Sequence, residues 1–212
     1  MIYRHDTMPQ GDIAPTIYNY LSNYIEGLSY DEATATIDFF GKFSYTIPKT
    51  SHPQMTLSFN GNSVSWGGGL GMAGSSDMYL ILGDDFMYLK ILRSYESRWV
   101  VLSYVKLSET RYLAGGTLGD RPEPSFYNIN YYDTSSAIVC KYNFPKVMPF
   151  EAAPGKIVYA EQSPLTYSDT DIVFVDSIYC CSTVPLRSTV SIGNDNYVAI
   201  DTNNIVILDS DE

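Results

Sequence analysis

Apolar residues recur along this chain at two different periods, and the switch between them sets the expected architecture. From Asp12 to Leu28 the spacing is helical: Ile17, Leu21, Ile25 and Leu28 fall four, four and three apart, with Asn19, Ser22, Asn23 and Glu26 on the other side. Pro15 suits a first-turn position, where a missing amide proton costs no hydrogen bond. The pattern predicts one amphipathic helix whose apolar stripe packs on a sheet or on a neighbouring subunit.

Beyond position 30 the period falls to two. Ala33, Ala35, Ile37 and Phe39 alternate with Thr34, Thr36 and Asp38, and Phe43, Tyr45 and Ile47 repeat the pattern after Gly41 until Pro48 ends it. Asn60-Gly61 is the preferred two-residue hairpin connection, because both central positions need positive φ. It sets Phe59 opposite Asn62, Leu57 opposite Val64 and Met55 opposite Trp66, with Thr56, Ser58, Ser63 and Ser65 on the reverse face. Met78–Leu82 and Phe86–Leu92, joined by Gly83-Asp84-Asp85, predict a second hairpin. Trp99–Leu107 is apolar at nearly every position, as a central strand covered on both faces would be.

The segment 114–124, rich in Gly and Pro, has the composition of a linker or long loop. It divides the chain into a unit over 1–113, a helix plus antiparallel strands, and a unit over 125–212. In the second, Ala137–Tyr142, Ile157–Ala160, Ile172–Cys181, Thr189–Ile192, Tyr197–Ile200 and Ile205–Leu208 are short strands between turn-forming clusters. The expected fold is therefore mainly β. One N-terminal helix precedes antiparallel sheets that form a sandwich or barrel, and a second small β-domain, sandwich or barrel, ends the chain.

Composition narrows the partners. Thirteen basic against 24 acidic residues leave a net charge of -11, which opposes the phosphate backbone that supplies most nucleic-acid affinity. No apolar run reaches the roughly 20 residues of a membrane span, and the first residues have no signal-peptide pattern, so the expectation is assembly in a cytosol without membrane contact. Cys140, Cys180 and Cys181 are an odd set with two adjacent, a poor disulfide framework and a poor zinc site, since neighbours on a strand point to opposite faces.

Candidate chemistry is sparse. Gly69-Leu70-Gly71-Met72-Ala73-Gly74 spells the dinucleotide fingerprint, yet that motif works only before a helix, and the next predicted element is a strand. A serine triad needs a histidine, and the chain has only His5 and His52, neither in a motif. Asp84-Asp85, Asp169-Thr170-Asp171 and Asn194-Asp195-Asn196 are oxygen-rich turns without the full calcium-loop pattern. We thus expect no catalytic residues, no cofactor and no metal. Trp66, Tyr127, Tyr131 and Tyr132 are the candidate aromatics for a sugar platform or an interface, and a hydrolase with a carboxylate pair assembled by the fold is a further alternative.

The last third of the chain resembles the closing β-module of tailed-bacteriophage virion proteins. The likeness runs through Asp171-Ile172-Val173-Phe174-Val175-Asp176, Ser191-Ile192-Gly193, Tyr197-Val198-Ala199-Ile200-Asp201 and Asn204-Ile205-Val206-Ile207-Leu208. It implies a structural component of a virion (tail, neck, baseplate or capsid surface) assembled in the host cytoplasm. Its partners would then be other virion proteins, copies of itself and, for a receptor-binding module, a host-surface glycan.

Overall fold

The computed structural model describes residues 2–8, 12–49, 54–67, 76–93, 98–119, 130–135, 148–153, 156–167, 171–181, 188–192, 194–199 and 205–208. Two antiparallel sheets, of six and five strands, pack face to face with one helix against them. The larger is ordered β1-β7-β8-β9-β10-β11: Ile2–Met8, Ser76–Leu82, Phe86–Arg93, Arg98–Ser108, Arg111–Gly119 and Asn130–Asp133. The smaller is β2-β3-β4-β5-β6: Leu28–Asp31, Thr36–Phe39, Phe43–Thr46, Gln54–Phe59 and Asn62–Gly67. The mainly β, sandwich-like architecture read from the periodicity is the one found.

Period-two alternation decides which side chains meet between the sheets. Ile37, Phe39, Phe43, Tyr45, Met55, Leu57 and Phe59 face Leu80, Leu89, Val100, Leu102, Tyr104 and Ala114, all buried in one cluster. Alternate residues of the small sheet, among them Ser44, Thr46, Thr56, Ser58, Ser63 and Ser65, form its polar reverse. Hydroxyls there pair across strands, Thr36 with Thr46 at 2.7 Å and Thr56 with Ser65 at 2.8 Å. The second face of the large sheet is also buried over its described residues, with Lys90, Ser103, Thr117 and Asp133 among apolar neighbours. Tyr79, Ile81, Tyr88, Val101, Val105 and Leu113 are buried on its second face, so β9 is covered on both sides as its apolar run requires.

The helix α1 is shorter than the periodicity implied, spanning Ile13–Leu21. Ser22 Oγ and Asn23 Nδ2 donate to the carbonyl of Asn19 at 3.1 and 2.8 Å, taking up an acceptor that another turn of helix would have used. Ile25 and Leu28 still reach the same core, from the turn and from β2, which is why the four-four-three spacing ran on past the helix end. The strand expected from Ala33 likewise starts only at Thr36. Asp31 accepts from the Ala33 amide at 2.9 Å and the Thr34 hydroxyl at 2.7 Å, closing a side-chain turn that Ala35 leaves at φ +53°.

Asn60 and Gly61 have φ of +43° and +74°, and every register pair expected around them is present. The helix is not the first element, because β1 precedes it as the edge of the large sheet and pairs with β7 from Ile2↔Leu82 to Met8↔Ser76. His5 lies on this strand, its ring stacked 4.5 Å from Tyr79 and its Nε2 3.2 Å from Asp77.

The expected boundary at 114–124 is corrected over its first half. Residues up to Gly119 continue β10, and β11, placed beyond the boundary by the sequence, pairs with it. The glycines serve close approach there. A Cβ at Gly116 would stand 2.6 Å from the Val101 carbonyl oxygen and 3.0 Å from Met55 Cε. Beside it the Tyr45 hydroxyl crosses from the small sheet to the carbonyls of Gly115 at 2.6 Å and Ser103 at 3.0 Å. Residues 120–124 lie outside the described residues.

A third antiparallel sheet holds the remaining strands in the order β12-β13-β14-β17-β16-β15: Met148–Ala153, Lys156–Tyr167, Asp171–Cys181, Ile205–Leu208, Asp195–Ala199 and Thr189–Ile192. Five of these fall where apolar runs placed them, whereas β12 had no apolar alternation to mark it. Pro164 sits at the register shift between β13 and β14, where a residue without an amide proton is tolerated. The strand expected at Ala137–Tyr142 lies outside the described residues.

Candidate functional site

Four turns meet at one end of the sandwich and enclose a cleft of about 580 Å³. They are the segment after α1 (Tyr24, Ile25, Glu26), the β3–β4 turn (Phe40, Lys42), the β7–β8 turn (Leu82, Gly83, Asp84) and the β9–β10 end (Tyr104, Lys106, Glu109, Tyr112). Loops carried on a rigid sheet pair are where binding residues concentrate.

The β3–β4 turn is built against its own residue preference. Phe40 and Gly41 have φ of +61° and +67°, and the Lys42 amide donates to the Phe39 carbonyl at 2.9 Å, a type I′ turn. That turn favours Asn or Gly at its first central position, and holding a bulky side chain in the left-handed region costs about 1–2 kcal/mol. Aromatic packing offsets it. The Phe40 ring stacks on Tyr112 at 5.4 Å and meets Tyr104 edge-on at 5.7 Å, while its amide donates to the Gly27 carbonyl at 3.2 Å.

Tyr104 and Tyr112 are 5% and 6% exposed, with ring centroids 6.0 Å apart. Their phenol groups line the cleft, and neither has a hydrogen-bond partner among the described residues. Burial, then the neighbouring Tyr112 and the Asp85 carboxylate, push the Tyr104 phenol well above the ordinary tyrosine value, so it keeps its proton at physiological pH. At the rim, Lys106 Nζ donates to Glu109 Oε1 at 2.6 Å, which raises the lysine above its ordinary value. The Lys106 amide holds the Asp85 carbonyl at 2.6 Å and so fixes the acidic turn beside it. A Cβ at Gly83 would stand 2.3 Å from the Phe86 ring, so any larger residue there has to displace that ring.

A phenol hydroxyl can donate and accept hydrogen bonds, and the surrounding rings give an apolar wall. Among the described residues no three His, Cys, Asp or Glu side chains gather as a metal-ligand set, and no helix is long and apolar enough to cross a membrane.

The aromatics singled out from the sequence lie elsewhere. Tyr131 is 2% exposed on the second face of the large sheet, its hydroxyl 2.8 Å from Ser103 Oγ. Tyr132 is buried between the sheets, its ring 6.0 Å from Phe59 and 6.2 Å from Trp66. Trp66 is half-buried on β6, and Tyr127 lies outside the described residues. The structure thus brings Trp66 and Tyr132 together as packing partners and keeps Tyr131 apart on the other face. Cys180 and Cys181 are consecutive on β14, and the residues after the glycine fingerprint form β7, a strand. His52 and residues 68–75 lie outside the described residues.

The cleft aromatics Phe40, Tyr104 and Tyr112 were not singled out from the sequence. One signal was there: Phe39 and Phe40 are adjacent before Gly41, so they cannot share a strand face, and one ring has to leave the core at the turn. No protein-family model, curated protein or solved structure matches this chain.

Proposed function

We propose that this chain is a non-enzymatic structural component of a tailed-phage virion, working through contacts between subunits. The observation that carries the reading is the open edge of the small sheet. Strand β6, Asn62 to Gly67, ends the sheet with no partner strand beyond it among the described residues. Edge strands are normally blunted by charge, proline or a bulge. β6 has no charged residue and no proline, and its register with β5 is unbroken.

The two-residue turn makes Phe59–Asn62 the closing hydrogen-bonded pair, and alternation then bonds Val64 and Trp66 inward. The amides of Ser63 and Ser65 face outward, ready to extend the sheet with a strand from a neighbour. The resemblance of the last third to virion β-modules supplies the kind of assembly.

The test is native mass measurement of the purified chain, wild type and Ser65→Pro, together with mass spectrometry of the source particle. The proline removes one outward donor and leaves the β5–β6 ladder intact. The reading requires wild-type oligomers, loss of them in Ser65→Pro, and the chain among the particle's proteins. A strictly monomeric wild type absent from any particle would overturn it.

A further inference from the structure

We propose that the cleft between Phe40, Tyr104 and Tyr112 is a binding site for a neutral saccharide. The first support is the pair of phenols. Tyr104 and Tyr112 are more than nine-tenths buried, and their hydroxyls, unpartnered among the described residues, line the cleft. Open to the cleft and held by no neighbouring side chain among the described residues, they are free to bond a ligand in place of water. Each phenol can donate one hydrogen bond and accept others, as a sugar hydroxyl can, so the two sets satisfy each other.

The walls and the charge balance set the ligand class. The half-buried rings of Phe40 and Tyr24 give apolar surface for the C–H face of a pyranose, and the volume of about 580 Å³ suits a small ligand. Lys106 is neutralised by Glu109, which leaves Lys42 against the carboxylates of Glu26 and Asp84. With no surplus of positive charge, and on a chain of net charge -11, the cleft disfavours a sialylated or phosphorylated ligand. Carboxylates accept hydrogen bonds from sugar hydroxyls and need no charged partner to do so. This site does not depend on the edge strand or on membership of a particle, since the cleft lies within a single chain.

The test is an array of neutral, sialylated and phosphorylated oligosaccharides, with a set of proline-rich peptides as the competing class. Hits are measured by titration against wild type, Tyr104→Phe, Tyr112→Phe and the double variant. These substitutions remove one oxygen each and keep the rings that pack on Phe40. Each single variant is expected to weaken binding by about threefold to tenfold, the scale of one hydrogen bond, with the melting temperature retained. Should the variants lose their fold, backbone amide shifts of Phe40, Lys42 and Glu26 on adding the array hit to wild type give the same answer. The proposal is overturned if no neutral glycan binds wild type, if only charged glycans or peptides bind, if the double variant binds as wild type does, or if those amides do not move.

Discussion

Replacing Gly116 by alanine separates two opposite accounts of the segment around it. If 114–119 were a flexible linker, the added methyl would be neutral, or would stabilise by about 0.4–1 kcal/mol through a stiffer unfolded chain. In the sandwich, the methyl carbon stands 2.6 Å from the Val101 carbonyl oxygen and 3.0 Å from Met55 Cε. An ordinary contact needs about 3.5–4.0 Å, so β9 or β10 must shift by roughly 1 Å, and one of them is backbone in the middle of the sheet. Overpacking of this kind costs about 1–3 kcal/mol, and the rigid backbone neighbour puts Gly116→Ala at the upper end. At about 2–4 °C per kcal/mol, the melting temperature should fall by roughly 6–12 °C. Gly67→Ala is the internal control, because among the described residues nothing lies within 4 Å of the Cβ position there. Thermal unfolding followed by circular dichroism measures both. A Gly116→Ala variant as stable as wild type would refute the packing of Tyr45 and Met55 across the two sheets.

Asp133 is buried and accepts from Arg111 Nε at 3.0 Å and from the Ser135 amide and hydroxyl at 2.9 and 2.7 Å. Asp133→Ala should therefore cost about 3 kcal/mol in chemical denaturation, most of it from the partners left behind. Asn60→Ala puts an unsuited residue at φ +43° and should cost about 1 kcal/mol, with Ser63→Ala on the same hairpin near neutral. Burial first, and the neighbouring groups after it, raise the Tyr45 and Tyr104 phenols above their ordinary value of 10.0. Their contribution is present below pH 10.0 and lost as pH rises above it, because the unfolded chain then releases protons that the folded chain keeps. Alkaline titration of stability should thus decline above pH 10, less steeply in Tyr104→Phe.

What could be read from the sequence was the part fixed by local chemistry. The Asn60-Gly61 hairpin combined a turn that demands positive φ with an alternation that confirms its register, and both survive unchanged. The apolar run Trp99–Leu107 could only be a central strand. Features decided by distant partners stayed hidden. β1 is polar along its exposed edge, so nothing in Arg4-His5-Asp6-Thr7 marks a strand until β7 is beside it. The glycines of β10 spell a loop until Tyr45, 70 residues away, is seen to need the space. Helical spacing outran α1 because Ile25 and Leu28 face the same core from a turn and a strand. The cleft was the least legible, since Tyr104 reads as core and only the folded turn reveals that its hydroxyl reaches the opening.

The central claim, that this sandwich works through contact at an open strand edge, is tested most directly by hydrogen exchange at Ser63 and Ser65. Their outward amides should exchange within seconds in the isolated monomer and be protected in the native particle, while the inward amides of Val64 and Trp66 stay slow in both. Equal, rapid exchange at Ser63 and Ser65 in the two states would contradict it.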